Sequence, residues 1–138
     1  MTNNKLQRRE LLLGAAALAA GTIASQWQTK TAIAKPKFSQ YPFKLGVASG
    51  DPLPESVVIW TRLAPDPLEG GGMPAESVVV QWQVATDENM RQIVQQGEAI
   101  ATPEFAHAVH VEVEGLQPGR WYWYRFQAGD AESPIGRT

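Results

Sequence analysis

From residue 43 onward, apolar and polar side chains alternate in short runs broken by Gly, Pro and Asp, a period of two that predicts strands rather than helices. Phe43 to Ala48 forms the first strand. It is stopped by Ser49-Gly50-Asp51-Pro52, where glycine permits unusual backbone angles and proline donates nothing to a ladder. Ser56 to Leu63 is the second; with Val58 and Trp60 taken as its core face, Trp60 becomes a core tryptophan, and Val57 and Ile59 leave the outer face apolar as well. Residues 64 to 74, with three Pro and three Gly, form a loop. In Ser77 to Thr86, Val78, Val80, Trp82 and Val84 share one face, with Gln81 and Gln83 on the other. Asp87 to Arg91 makes a turn, and Ile93 to Gln95 and Glu98 to Ala101 read as short edge pieces hinged at Gly97. His107, Val109, Val111 and Val113 line one face of the next run, with His110, Glu112 and Glu114 opposite.

The stretch Leu116-Gln117-Pro118-Gly119-Arg120-Trp121-Tyr122 has the pattern of a tyrosine corner, in which a tyrosine early in a strand returns its hydroxyl to backbone a few residues upstream. Leu116, Pro118, Gly119 and Tyr122 then have structural roles: Pro118 fixes φ, Gly119 takes the permissive position and Tyr122 closes the turn. In the strand that follows, Tyr122, Tyr124 and Phe126 go to the core, so Trp121, Trp123 and the stem of Arg125 emerge on the other face. Exposed tryptophans mark an interface. The candidate interface residues are Trp121, Trp123 and Arg125, with Val57 and Ile59 on the second strand. Together these features predict an all-β, antiparallel immunoglobulin/fibronectin type III-like sandwich of about seven strands over residues 43–138, after a linker at 35–42.

The 138 residues carry 12 Lys+Arg against 14 Asp+Glu, a net charge of −2 that lacks the basic excess of a nucleic-acid binder. With no cysteine, disulfides, thiolate metal sites and iron–sulfur clusters are excluded. The two histidines, His107 and His110, have the spacing of a metal pair on a helix, but in a strand odd spacing sends them to opposite faces. Gly46-Val47-Ala48-Ser49-Gly50 lacks the Lys-Ser/Thr ending and the following helix of a phosphate-cradling loop. No catalytic, cofactor-binding or metal-ligating residue is assigned to this chain.

Four of the basic residues but only one acid fall in residues 1–34, so the remainder is markedly acidic. There the apolar run Leu11 to Ala24 is too short to span a bilayer, which argues for a cleaved signal and against a stable membrane anchor. Arg8 and Arg9, directly before that run, resemble the twin-arginine export motif, which implies the twin-arginine machinery as a partner. A general secretion signal that uses the same pair as its charged region is the alternative. Ala32-Ile33-Ala34 offers an A-x-A cleavage site defined by Ala32 and Ala34, with cleavage after Ala24 or Ser25 as the fallback.

Phe43 to Pro52, Val58 to Leu63, Leu116 to Arg120, Tyr122 to Phe126 and Ser133 to Thr138, taken in order, resemble blocks of the N-terminal domain of PhoD-type alkaline phosphatases. A twin-arginine leader ahead of such a domain agrees with that family. The resemblance implies a secreted, metal-dependent phosphohydrolase acting on phosphodiesters and phosphomonoesters, with iron and calcium in a separate metallophosphatase domain whose motifs this sequence does not carry. The resulting expectation is a non-catalytic accessory domain, a fragment of such an enzyme. It would pack against the metallophosphatase domain in cis or in trans, in the periplasm or outside the cell. A freestanding exported β-sandwich binding module acting in trans is the alternative.

Overall fold

The computed structural model describes residues 35–138; the export residues Arg8 and Arg9 and the cleavage residues Ala32 and Ala34 lie outside them. Eight strands follow in order: β1 (Val47–Ser49), β2 (Val57–Arg62), β3 (Val78–Ala85), β4 (Ile93–Ala101), β5 (Ala108–Val113), β6 (Trp123–Ala128), β7 (Ala131–Glu132) and β8 (Gly136–Arg137). They form two antiparallel sheets. One has the order β1-β2-β5, and the other runs β4-β3-β6-β7 with β8 also paired to β6. Their facing sides meet in one core: Val57, Ile59, Val109 and Val113 come from the first sheet, and Val78, Val80, Val84, Tyr124 and Phe126 from the second. Each fully buried aliphatic or aromatic side chain contributes about 1.5–3 kcal/mol over its exposed state. Among the described residues no helix is long and apolar enough to cross a membrane.

The second strand faces the opposite way from the phase read off its sequence. Ile59 is 0% and Val57 3% exposed, whereas Trp60 is 41% and Val58 38% exposed. Trp60 is therefore not a core tryptophan, and Val57 and Ile59 are not interface residues but core. Nearly every side chain of β2 is apolar or amphipathic, so its own pattern is the same in either phase. Its partner β5 is not ambiguous: Val109 and Val113 point inward while His110 and Glu112 point to water. The register Val58↔Glu112, Trp60↔His110 puts Val58 and Trp60 on the side of those polar residues, and a shift of one would bury the charge of Glu112.

Gly97 does not hinge two edge pieces. Strand β4 runs unbroken through it, and a Cβ there would stand 2.7 Å from Cζ2 of Trp82 across the pair. The missing side chain is a notch for the half-buried indole. The irregularity in this pairing lies instead between Val84 and Ala85, which stand opposite Gln95 and Ile93, so that Val94 of β4 is left without a partner. Gly136 does the same for the ring of Tyr124, whose Cζ would lie 2.3 Å from an added Cβ.

Residues 35–42, read from sequence as a linker, are laid onto the sandwich. Pro42 is buried and its carbonyl accepts the Ala64 N–H at 2.8 Å, Phe38 packs against the core, and the Tyr41 hydroxyl donates to the Glu132 carbonyl at 2.8 Å. Strands β7 and β8, too short to show a period of two, complete the sheet beside β6.

Candidate docking surface and a second cavity

The connection from β5 to β6 crosses between the sheets through a turn that fixes the surface beside it. Leu116 is buried and its N–H donates to the Glu55 carbonyl at 2.9 Å; Gly119 has φ +68°, a left-handed value that favours glycine. The Tyr122 ring is 6% exposed, and its hydroxyl oxygen accepts the Gln117 N–H at 2.8 Å. That is tyrosine-corner geometry. The main chain of Tyr122 also pairs with Thr138 through two hydrogen bonds of 2.9 Å. Burial raises the pKa of the Tyr124 hydroxyl above the ordinary tyrosine range, in part offset by a hydrogen bond with Ser49.

With Tyr122 anchored inward, its neighbour Trp121 must point out, and it is 62% exposed. Trp123, half-buried, follows on the same side, paired with Arg137 of β8. The Arg137 guanidinium carbon sits 4.5 Å from the centroid of the Trp121 ring, a cation–π contact. Arg125 lies on the same face but is committed elsewhere. Its Nε and Nη2 donate to Gln83 Oε1 at 3.1 and 3.0 Å, and its Nη1 donates to Glu132 at 3.3 Å. It closes a polar ladder that continues from Gln83 to Gln96. Trp121, Trp123 and Arg137 are thus brought together at one end of the larger sheet, and Arg125 belongs to the wet middle of it. Trp121 also borders an open groove of about 580 Å³ walled by Leu53, Pro54, Leu116, Pro118 and Thr138. Leu53, 66% exposed on the groove wall, extends the apolar surface.

Sequence reasoning missed Arg137, because its contact with Trp121 depends on the β6–β8 pairing. It also missed the outer face of the smaller sheet, where the exposed Trp60 ring stacks on His110 with centroids 5.6 Å apart and planes 18° apart. Once His110 is placed opposite Trp60, that contact follows from the register.

A smaller cavity of about 250 Å³ lies at the end of that face, between Arg62, Gly70, Gly71, Met73, Ala106 and His107. Ala106 and His107 have φ +51° and +56°, left-handed values for non-glycine residues that cost on the order of 1–3 kcal/mol each. They are held there by hydrogen bonds: His107 N–H to the Thr102 carbonyl (2.8 Å), Leu63 N–H to the His107 carbonyl (3.0 Å), and the buried His107 Nε2–H to the Glu76 carbonyl (2.9 Å). His107 and His110 do not converge. Among the described residues no group of three or more His, Cys, Asp or Glu could hold a metal ion, so nothing here fits the iron and calcium that the sequence resemblance implies.

The family described as PhoD-like phosphatase, N-terminal domain, matches residues 27–138. Alkaline phosphatase D of Bacillus subtilis (strain 168) is 54% identical over 140 residues, covering 99% of this chain and 24% of that protein. The chain therefore spans about a quarter of the length of this curated relative. A solved structure described as the structure of PhoD is 61% identical and aligns with a TM-score of 0.73 over 74% of this chain and 20% of that one.

Proposed function

The chain belongs to the PhoD-like phosphatase N-terminal domain family, and from that premise we propose that it is a non-catalytic accessory domain that docks on the catalytic domain of a secreted alkaline phosphatase/phosphodiesterase. That domain, whether continuous with this one or separate, supplies the metal-dependent hydrolysis, with iron and calcium as the metals the resemblance implies. The sandwich supplies a preformed surface. Its arrangement of three strands against a sheet led by β4-β3-β6, with a tyrosine corner before β6, supports an immunoglobulin/fibronectin type III-like description.

The observation that carries this reading is the exposed apolar surface that Trp121 and Leu53 form along the groove, with Arg137 stacked on the indole. Tryptophan and arginine are the residues most enriched where binding energy concentrates in interfaces. The backbone on both sides of Trp121 is tied down, by the corner and by the pairing of Tyr122 with Thr138, so docking would order little that is not already ordered. Export through the twin-arginine machinery, with Arg8 and Arg9 as its signal, Ala32 and Ala34 as the cleavage site and the periplasm or exterior as destination, is part of the same proposal.

The test joins this chain to the catalytic domain of the Bacillus relative and compares tryptophan quenching by acrylamide with that of the chain alone. Protection on joining, together with a Trp121→Ala variant that melts at lower temperature but keeps its full metal content, is the expected result. Equal quenching in the two forms would overturn the proposal.

A further inference from the structure

The cavity beside Arg62 is on the smaller sheet, away from Trp121, and no part of the docking surface uses it. Arg62 ends β2 on the same outward side as Val58 and Trp60. Its Nε donates to the Ala106 carbonyl at 3.0 Å, which fixes the plane of the guanidinium. The ion pairs among the described residues are Lys35–Asp130 and Arg125–Glu132, so Arg62 has no carboxylate partner there. Nor, among the described residues, does any Asp or Glu line the cavity; its walls are Arg62, His107, the backbone of Gly70 and Gly71, and apolar side chains such as Met73 and Pro103.

Gly71 places bare backbone beside the guanidinium. Its φ of +92° disfavours any side chain, and an added Cβ would lie 3.5 Å from Arg62 Nη2. The opposite wall is built by Ala106 and His107 in strained backbone, and such strain concentrates at ligand clamps when surrounding hydrogen bonds enforce it. A guanidinium anchored through Nε retains two Nη groups, a planar fork that matches the paired oxygens of a phosphate or carboxylate. Partial enclosure by apolar walls strengthens such a contact over its value in water.

We propose that this pocket binds a small oxyanion, a phosphate or carboxylate group, through the two-pronged Arg62 guanidinium. The site is independent of the docking surface, so a Trp121→Ala variant retains it.

The experiment titrates the full ¹⁵N-labelled chain with inorganic phosphate and, separately, with sodium acetate, holding ionic strength constant with chloride. Saturable amide shifts confined to Gly70, Gly71, Ala106 and His107 are expected. Saturation by phosphate assigns the site to phosphate groups, and saturation by acetate alone assigns it to carboxylates. Arg62→Gln should weaken binding at least tenfold without lowering the melting temperature appreciably. Arg62→Lys, which keeps the charge but loses the fork, should weaken it severalfold and carries the test should Arg62→Gln not fold. Shifts that stay linear in both titrations, or an Arg62→Lys variant that binds as tightly as the parent, would overturn the proposal.

Discussion

Paired substitutions at Ile59 and Trp60 test the phase of β2, on which the outward placement of Trp60 and Arg62 on the smaller sheet depends. Ile59 is 0% exposed, and Ile59→Ala removes three buried carbons, about 2.4 kcal/mol at ~0.8 kcal/mol each before any cavity term. Adding the cavity brings the cost into the range of about 2–5 kcal/mol found for such truncations. Trp60 is 41% exposed and its main partner is the His110 ring, so Trp60→Ala forfeits partial burial and a stacking term of roughly 0.5–1.5 kcal/mol. A buried tryptophan would instead cost about 3–5 kcal/mol. Urea unfolding followed by circular dichroism separates these cases, with the midpoint reporting stability and an unchanged slope confirming that the denatured state is not altered. Against a total of about 5–15 kcal/mol for a domain, Ile59→Ala takes a large share. Ile59→Val, at about 0.5–1.5 kcal/mol, still registers the loss of one buried carbon if the alanine variant does not fold. A Trp60→Ala variant less stable than Ile59→Ala would mean that β2 faces the other way.

Tyr122→Phe deletes the hydroxyl that accepts the Gln117 N–H and should destabilise by about 1 kcal/mol while accelerating hydrogen exchange of the Gln117 amide; an unchanged exchange rate would contradict the corner geometry. Gly97→Ala places a methyl 2.7 Å from the Trp82 ring and should cost about 1–3 kcal/mol by overpacking, largely relieved in a Gly97→Ala/Trp82→Leu double variant; additive costs would argue against the notch. The Asp87 carboxylate accepts the N–H groups of Gln92 (2.7 Å) and Arg91 (3.0 Å), which lowers its pKa from the ordinary value. A group whose folded pKa is depressed stabilises the fold above its unfolded pKa and loses that contribution as pH falls through the folded value. The Asp87→Asn variant should therefore show a flatter loss of stability than the parent in acid below about pH 4, measured by thermal melts; parallel curves would remove Asp87 from the acid response.

Much of the fold was legible because it is encoded locally. β3 and β5 alternate valines with glutamines, histidine and glutamate, so the charge of Glu112 and the amides of Gln81 and Gln83 determine which side faces water. The corner was legible for a related reason: Pro118, Gly119 and Tyr122 satisfy one turn's stereochemistry within a few residues. By contrast, β7 and β8 are two residues each, and no period of two can be read from two residues. The surface around Trp121 was half legible. Its parity relative to Tyr122 follows from the strand, whereas Arg137 over the ring and the separate engagement of Arg125 with Gln83 and Glu132 are made by pairings between distant segments.

Local sequence carries the class of the fold, the polar sides of its amphipathic strands, the tyrosine corner and the outward direction of Trp121, because backbone stereochemistry and the cost of burying charge act on residues close in the chain. The direction of β2, the use of Gly97 and Gly136 as seats for aromatic rings, and the isolation of Arg62 beside a glycine loop arise when the strands and loops pack. Each of these depends on what stands opposite. A strand apolar on both sides has no preferred phase until a neighbour with a charged side is hydrogen-bonded to it. A glycine has no assigned purpose until a ring arrives across the sheet, and an arginine is neither paired nor available until the elements around it are in place.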